Sequence, residues 1–266
     1  MQPRAGLVGF GSIGRQVVQL VRDGAAGHAE IVGVLVRDPD RYPESVRDGI
    51  PFVGDVKALL ALSPTVVLEA AGHEALRTHI PPILAAGVDV IALSVGALAD
   101  PDTLAAVQAA ARRGGAQLRI PSGAIAALDA ISAAAVGRIE RVTHTVRKPP
   151  LGLLPPDEAA AVTATGQPRE LFAGTAREAA LLFPANVNVV AAVSLAGIGL
   201  DRTEARVVAD PGVVRNTHEL VVEGAFGRLS LTIENVPSDN PKTGRIVPLS
   251  LVRTLRAYGE EIVVGA

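Results

Sequence analysis

Cysteine is absent from the 266 residues of this sequence, and its absence excludes several kinds of chemistry. The chain can form no disulfide, cannot use a thiolate as a nucleophile, and cannot bind zinc or an iron–sulfur cluster through cysteine ligands. Long apolar runs are missing too. Apolar residues make up 48% of the chain, but no uninterrupted run reaches the ~18 to 20 residues of a membrane span. We therefore expect no membrane partner.

Basic residues form no block, and only three of them are lysines: Lys57, Lys148 and Lys242. With a formal net charge of -2, the sequence offers neither a nucleic-acid-binding surface nor a polybasic membrane anchor. A small molecule is the expected partner. No charged and apolar leader precedes the first strand, so we expect a cytoplasmic protein.

A glycine-rich turn follows the first apolar strand, within residues 7–14. Its spacing is G-x-G-x-x-G, and a helical pattern over residues 16–21 begins directly after it. Gly9 permits the tight turn, Gly11 lets a pyrophosphate approach the backbone, and Gly14 lets the helix pack on the strand. The N-terminus of a helix favours phosphate because its first N–H groups have no partner. The sequence therefore predicts a dinucleotide site with these binding residues: Gly9, Gly11, Ser12, Ile13 and Gly14.

The end of the second predicted strand, at residues 30–36, bears on the choice of cofactor. An acidic residue at this point accepts a hydrogen bond from the ribose 2′-hydroxyl of NAD, whereas an arginine accommodates the 2′-phosphate of NADP. Arg37 and Asp38 are adjacent here, so the sequence predicts NAD or NADP without choosing between them. A solvated turn over residues 37–41, with no cofactor contact, is the alternative.

Strands and helices alternate through the first 120 residues. Further strands are predicted at residues 52–53, 65–69, 89–94 and 117–120, with helices at 56–62, 74–86 and 101–113. Pro81 and Pro82 should break or kink the second of these helices. Ala71 follows the strand at 65–69, where a small residue leaves room for a cofactor over the sheet edge. The pattern predicts an α/β fold with a doubly wound parallel sheet, in a dinucleotide-binding domain of residues 1–120.

After residue 120 the pattern predicts a smaller α+β domain, over residues 121–240, with a mixed or antiparallel sheet. A helix is expected at 126–136, then a strand at 141–147 and a long connection over 149–168. Helices follow at 170–183 and 186–195, and strands at 203–210, 218–225 and 227–236, the last two forming a hairpin. A helix over 248–258, within the final segment 241–266, should return to the first domain.

His218 is the best candidate for proton transfer in the second domain, because imidazole titrates near neutral pH. A structural role in its strand is the alternative. Asn186 and Asn188 stand at a predicted helix start, where capping explains one asparagine better than two.

Seven motifs are distributed over almost the entire chain. They are GFGSIG from Gly9, SVGALAD from Ser94, PSGAIAALDA from Pro121, FPANVNV from Phe183, AGIGLDRT from Ala196, NTHE from Asn216 and ENVPSDNPKTGRIVPLSLVRTL from Glu234. Together they resemble the motifs of the L-aspartate dehydrogenase family. This coverage is far more specific than a single glycine turn.

The resemblance implies an N-terminal Rossmann domain, an α/β catalytic domain and a homodimer. It also implies oxidation of L-aspartate with NAD or NADP to iminosuccinate, which hydrolyses to oxaloacetate and ammonia and is an entry point to de novo pyridine nucleotide synthesis. By match of motif, His218 takes the position of the catalytic histidine. The implied cofactor contacts of the later motifs are Ser122, Ala124 and Asn188.

The substrate is a dicarboxylate and needs cationic or N–H donors. The candidate substrate-binding residues are Asn188, Thr217 and Lys242, with Arg245 and Lys148 as further cations.

Two other functions remain open from the sequence. One is a related reductase of the homoserine dehydrogenase or dihydrodipicolinate reductase type, which would share the first domain. The NTHE and NPKTG motifs argue against it. The other is a non-catalytic NAD-binding protein, which would have no need of the histidine and asparagines of the second domain.

Overall fold

The computed structural model describes residues 2–183, 187–236 and 244–265. The chain divides into two compact units. The first contains the residues up to Gly123 together with those from Val247 onward, and the second contains Ala124–Ile246. Among the described residues, no helix combines the length and the apolar character that crossing a membrane requires.

The first unit is built on a parallel sheet of six strands in the order β3-β2-β1-β4-β5-β6. These strands are β1 Arg4–Val8, β2 Glu30–Leu35, β3 Phe52–Val53, β4 Val66–Glu69, β5 Asp89–Ala92 and β6 Leu118–Arg119. The helices between them are α1 Ser12–Arg22, α2 Glu44–Arg47, α3 Val56–Ala61, α4 His73–Ala85 and α5 Pro101–Gly114. Short 3-10 helices occur at Pro39–Arg41 and Val95–Ala99. This strand order is that of a Rossmann fold.

The proline pair does not interrupt α4, although the sequence predicted a break or kink there. The helix runs from His73 to Ala85 with Pro81 and Pro82 inside it. The two prolines deprive the carbonyls of Arg77 and Thr78 of their helical partners. Both of these residues are exposed, so water can replace the lost hydrogen bonds while Ile80, Ile83 and Leu84 stay buried.

The second unit is built on a mixed sheet of five strands in the order β11-β10-β7-β9-β8. These strands are β7 Ile139–Lys148, β8 Arg169–Thr175, β9 Glu204–Ala209, β10 Asn216–Gly224 and β11 Gly227–Asn235. Only the β7–β9 pairing is parallel within the described sheet. The helices are α6 Leu128–Val136, α7 Pro156–Thr165, α8 Ala176–Leu182 and α9 Asn188–Ala196, with a 3-10 helix at Pro150–Gly152. The predicted fold class, a Rossmann sheet followed by an α+β unit, is confirmed.

The apolar core of this unit lies between its sheet and helices α6 and α9. Its buried members are Ile125, Ile131, Ile139, Val142, Val193, Leu220 and Val222. The predicted hairpin is confirmed, because β10 and β11 pair along their whole length up to Gly224 and Gly227.

The long connection predicted over residues 149–168 is wrong, since most of it is helical. Helix α7 begins with Pro156, followed by Asp157 and Glu158 in its first turn, and ends at Gly166 in the left-handed conformation. Proline in the first turn, acidic residues beside the positive end of the helix dipole and glycine after the last turn are favourable helix ends. Residues 159–161 are alanines, which favour the helix interior.

The single helix predicted over residues 170–183 is also wrong. Residues Arg169–Thr175 form strand β8, which pairs antiparallel with β9. Helix α8 starts only at Ala176, because Thr175 and Glu178 form a reciprocal capping box. Such a box satisfies N–H groups at a helix start and fixes the boundary at Thr175.

The last described helix, α10 Ile246–Arg256, packs within the first unit, and a 3-10 helix at Ala257–Gly259 follows it. The hydroxyl of Ser250 accepts a hydrogen bond from the N–H of Gly123 at 3.1 Å. The hydroxyl of Tyr258 donates to Asp89 at 3.1 Å, at the start of β5, and the Arg119 guanidinium lies over its ring. Burial and the neighbouring Asp89 carboxylate raise the pKa of Tyr258, so this hydroxyl keeps its proton.

Shortening a buried leucine of α10 should destabilise the first unit. Leu251 is fully buried (0% exposed), whereas Leu249 on the same helix is 51% exposed. We expect Leu251→Ala to lower the free energy of unfolding by about 2 to 5 kcal/mol, through lost burial and the cavity that remains. Leu249→Ala is the matched control. Urea unfolding of both variants tests this, and equal midpoints for Leu251→Ala and wild type would contradict the packing.

Candidate active site

The turn from Gly9 to Gly14 joins the carboxyl end of β1 to α1. Gly9 has a φ of +95°, and a Cβ built on it would lie 2.6 Å from the Cβ of Ala71. A Cβ on Gly14 would lie 2.3 Å from the carbonyl oxygen of Gly9. Neither position therefore admits a side chain, and α1 begins in direct contact with the turn.

Gly11 differs from these two glycines because it faces open space. A Cβ there would meet no described atom within 4 Å. Gly11 also caps α1, and no side chain of the described structure bonds to the N–H groups at the cap. These groups and the positive end of the helix dipole are suited to a phosphate. The residues present therefore fit a dinucleotide, with Ser12 and Ile13 half-buried in the first turn of α1.

Glu69, at the carboxyl end of β4, forms hydrogen bonds to two loops at this edge of the sheet, one after β4 and one after β5. Its side chain is fully buried. Oε1 accepts hydrogen bonds from the N–H groups of Ala71 at 2.8 Å and Gly72 at 2.9 Å, and from the hydroxyl of Ser94 at 2.8 Å. Oε2 accepts from the N–H of Ser94 at 2.9 Å. Glu69 thus fixes Ala71, the residue against which Gly9 packs.

The segment after β2 carries both residues that bear on cofactor choice. Arg37 and Asp38 are exposed. The loop beyond them is held by Arg47, which donates to the backbone carbonyls of Tyr42 at 2.6 Å and Pro39 at 2.7 Å. The structure therefore gives both side chains access to a ligand at the carboxyl end of β2 and does not choose between them.

The predicted loop from Ser122 to Ile125 is anchored separately on each side. Ser122 is exposed, and Gly123 beside it donates to Ser250. The carbonyl of Ala124 accepts a hydrogen bond from the Asn235 side chain at 2.9 Å. Asn235, one of the polar residues of the ENVPSDNPKTG motif, therefore holds the backbone at a predicted cofactor contact.

His218 and His144 form a buried imidazole pair in the second unit. His218 lies opposite Val146 in the pairing of β10 with β7, and His144 lies opposite Leu220. Because side chains alternate between the faces of a sheet, the two imidazoles share a face as diagonal neighbours. His144 Nε2 and His218 Nδ1 are 3.1 Å apart, and the rings are stacked at 20°. They are only 2% and 6% exposed.

Lys148 lies on the same face of β7, two residues beyond Val146, and is buried. Burial and, to a smaller extent, the positive charge of Lys148 together lower the pKa of His218 to about 4. Burial, and to a smaller extent His218, hold the pKa of His144 well below its usual range. Both imidazoles are therefore neutral at pH 7, and Lys148 supplies positive charge near His218.

The remaining predicted residues are not all brought to this face. Thr217 is adjacent to His218 in β10, so its side chain points to the opposite face, where its hydroxyl donates to the carbonyl of Arg215 at 3.3 Å. Asn188 is exposed at the first position of α9. Arg245 is exposed as well. Lys242 and Asn186 lie outside the described residues.

Two contributions were not predicted from the sequence: the loop contacts of Glu69 and the pairing of His144 with His218. Glu69 ends the apolar run of residues 65–69 and precedes Ala-Ala-Gly. A lone carboxylate between a buried strand and a turn is a sequence signal that could have identified Glu69 as a residue that binds the following loop. His144 could have been noticed as a histidine in an alternating strand, but only the register of β7 against β10 shows that its partner is His218.

Because both imidazoles are neutral in the folded protein, we expect its stability to depend on pH. His218 binds a proton below pH 6.5 in the unfolded chain, whereas in the folded chain it stays unprotonated down to about pH 4. The unfolded state therefore holds more protons in this window, and stability is lost as pH falls through it. We expect His218 alone to cost about 3 kcal/mol across the window, with His144 acting in the same direction.

Urea unfolding of wild type and His218→Gln at pH 7 and pH 5 measures this effect. The variant should lose less stability on acidification than wild type, and His28→Gln, at an exposed histidine, should behave as wild type. Equal losses in wild type and His218→Gln would show that His218 titrates normally in the folded protein.

Comparison with known proteins supports both halves of this description. Residues 129–258 match the family model described as aspartate dehydrogenase, C-terminal. Residues 9–121 match that of the NAD-binding domain of homoserine dehydrogenase. The L-aspartate dehydrogenase of Cupriavidus necator is 41% identical over 265 residues, covering 96% of this chain and 98% of its own. That of Methanosarcina barkeri is 39% identical over 270 residues, covering 98% of this chain and 99% of its own.

Solved structures give the same result. The crystal structure of aspartate dehydrogenase from Thermotoga maritima has a TM-score of 0.79 and 25% identity, covering 99% of this chain and 100% of its own. A hyperthermophilic archaeal homoserine dehydrogenase, with a TM-score of 0.63, 12% identity and 96% coverage of each chain, shares the fold alone. The strand order, the glycine turn and these matches define an NAD(P)-dependent dehydrogenase of the Rossmann type. Within that class, the chain belongs to the L-aspartate dehydrogenase family.

Proposed function

We propose that this protein oxidises L-aspartate with NAD or NADP to iminosuccinate, which water converts to oxaloacetate and ammonia. The observation that carries the proposal is the neutral His218, buried between His144 and Lys148 in the unit that matches the aspartate dehydrogenase model. Such a group can take a proton at neutral pH, and a cation beside it can attract a dicarboxylate.

The first unit supplies the cofactor site of this proposal. Bound NAD(P)⁺ supplies the acceptor for the hydride that leaves the substrate carbon. The N–H groups at the start of α1 hold its pyrophosphate, and the bare backbone of Gly11 lets it approach closely. Glu69 keeps the Ala71 and Ser94 loops in place at the same sheet edge.

His218 is the proposed acid and base of the reaction. As water attacks the imine carbon, the neutral imidazole accepts one proton from that water and donates it to the nitrogen, which gives a carbinolamine. The imidazole then accepts the remaining hydroxyl proton as the carbonyl forms and donates it to the nitrogen, which leaves as ammonia when the C–N bond breaks. Lys148 is the proposed partner of a substrate carboxylate. Asn188 and Ala124 are proposed cofactor contacts, and Lys242 is a further proposed substrate contact.

A substrate panel tests this proposal. Reduction of NAD and of NADP is followed with L-aspartate, L-homoserine, L-glutamate and D-aspartate, and the reverse reaction with oxaloacetate and ammonia. We expect activity with L-aspartate far above that with the others. Activity with L-homoserine alone would favour the related reductase, and binding of NAD with no turnover of any substrate would favour a non-catalytic role.

Arg37 is the proposed contact for the 2′-phosphate of NADP, and Asp38 for the 2′-hydroxyl of NAD. We expect Arg37→Ala to weaken NADP binding by about 10-fold to 100-fold, because a charge-assisted hydrogen bond is lost. NAD binding should change little. Fluorescence titration of both cofactors measures this, with Arg113→Ala, at an exposed arginine of α5, as the control. Equal losses for the two cofactors would make Arg37 a turn residue.

The assembly, location and pathway also belong to the proposal. The family resemblance supports a homodimer in the cytoplasm that supplies iminosuccinate to de novo NAD synthesis. Light scattering coupled to size-exclusion chromatography would determine the oligomeric state. Restored growth of an aspartate-oxidase-deficient bacterium without added nicotinic acid would test the link to NAD synthesis.

A further inference from the structure

We infer that His144 is a positioning residue that sets the proton arrangement on His218, so that the outer nitrogen of His218, Nε2, carries the lone pair. The inference rests on the proposed function, in which His218 is the acid and base. It adds a second imidazole to the machinery, and its evidence is the geometry of the pair within the second unit.

The contact between the two rings allows only two proton arrangements while both are neutral. In the first, His144 Nε2–H donates to His218 Nδ1, and His218 then carries its own proton on Nε2. In the second, His218 Nδ1–H donates to His144 Nε2, and His218 Nε2 is free of a proton. Only the second arrangement leaves His218 Nε2 able to accept a proton from a reacting group.

His144 is suited to be the acceptor in the second arrangement. It is 2% exposed, and burial holds its pKa well below the usual range, so it stays neutral while His218 gains and loses a proton. When His218 becomes an imidazolium, its Nδ1–H bond to His144 becomes a charge-assisted bond and is strengthened. His144 therefore favours the protonated intermediate state of His218 without taking part in the proton transfer itself.

A neutral orienting group has a different effect from a carboxylate at the same place. A buried carboxylate would raise the pKa of His218 by direct attraction. The imidazole of His144 fixes the same tautomer with no net charge. It therefore leaves His218 unprotonated at neutral pH, next to the cation of Lys148. The pair combines a fixed orientation with a base that is in its free form at neutral pH before the reaction.

The surroundings of His144 support a fixed ring. It contributes to a small apolar pocket of the second unit, between the sheet and helices α8 and α9. The other lining residues are Val146, Ala179, Phe183, Val187, Val190, Ala205, Arg206 and Val207. Packing on these side chains, with the ring stacked on His218, limits rotation and keeps Nε2 directed at its partner.

Two variants of His144 test the inference through activity. His144→Leu removes the acceptor, and we expect kcat for L-aspartate to fall about 10-fold to 100-fold, the effect of losing one hydrogen bond to a charged group. The KM for L-aspartate and the Kd for NAD should stay close to wild type. His144→Gln, whose side-chain oxygen can accept from Nδ1–H, should recover most of kcat. Val142→Ala, a buried change on the same strand and face, controls for lost packing and should retain kcat.

Nitrogen NMR of ¹⁵N-histidine-labelled protein determines the tautomer of His218 independently of enzymatic activity. The signals of His218 are identified by their loss in His218→Gln. We expect the Nδ1–H form in wild type and a mixture of both forms in His144→Leu. An Nε2–H form in wild type, or full kcat in folded His144→Leu, would overturn the inference. Absence of aspartate oxidation in wild type would instead overturn the proposed function and leave the tautomer measurement standing.

Discussion

Replacing His218 with alanine should lower kcat for L-aspartate by about 10²-fold to 10⁴-fold, the usual contribution of a positioned acid–base group. The ring of His144 cannot substitute for that of His218, because it lies on β7, opposite Leu220, and so occupies a different position. The affinity for NAD should barely change, since the proposed pyrophosphate contacts lie at the start of α1. The pH profile of kcat/KM should also lose one limb.

The control for His218→Ala is His28→Ala, at an exposed histidine of the first unit. Circular dichroism and thermal unfolding establish that each variant is folded before its kinetics are measured. A folded His218→Ala protein with near-normal kcat would assign the proton transfer to another group, and Lys148 would be the next to test.

Replacing Glu69 with alanine should have the largest effect on stability. The substitution leaves the N–H groups of Ala71, Gly72 and Ser94 without their buried acceptor. Each such group costs about 1 to 3 kcal/mol when it is left unpaired. We expect the free energy of unfolding to fall by about 3 kcal/mol or more, and NAD binding to weaken because Ala71 packs against the Gly9 turn.

Two further variants sharpen the Glu69 experiment. Glu74→Ala, five residues later, removes a carboxylate that is 82% exposed and should leave both quantities near wild type. Glu69→Gln keeps one oxygen acceptor but directs an amide donor at other donors. Its free energy of unfolding and its affinity for NAD should therefore lie between those of wild type and of the alanine variant. Urea unfolding and NAD titration supply the measurements. An alanine variant as stable as wild type would mean that water replaces the carboxylate.

The part of the fold that the sequence predicted best is the first unit. There the period of apolar residues, the glycine spacing and the short connections all favour the same parallel sheet. The strand limits moved by one or two residues, α1 begins earlier than predicted, at Ser12, and the proline pair does not break α4. The effect of a proline depends on whether water reaches the carbonyls it leaves unpaired, and a sequence does not show exposure directly.

The second unit was harder because local and tertiary preferences compete there. Residues 170–183 contain good helix formers, yet β9 supplies a pairing edge for β8, and the Thr175–Glu178 box delays the helix. The box is visible in the sequence as T-x-x-E. The sequence does not show that residues 170–175 form a strand in spite of their helical propensity, because that strand depends on pairing with β9, further along the chain.

The sequence proposed single residues of the candidate site but not their pairings. Glycine spacing and the histidine motif pointed to Gly9 and His218, because each residue type carries its own chemical meaning. His144 and Glu69 act through a partner, and the partner is fixed by strand register or by which way a strand end turns. Those are properties of the folded backbone, so no motif in the sequence states them.

The position of α10 has a consequence for how the protein is made. The first unit needs residues from Val247 onward, while the second unit is complete at Ile246. During synthesis the residues of the second unit are therefore all present before α10 completes the first unit. The glycine turn and the strands around it are synthesised before α10, which carries the buried side chains of Leu251 and Leu255. A chain that stops before Leu251 therefore lacks the buried leucines of α10, and its incomplete first unit is a target for chaperones and proteases.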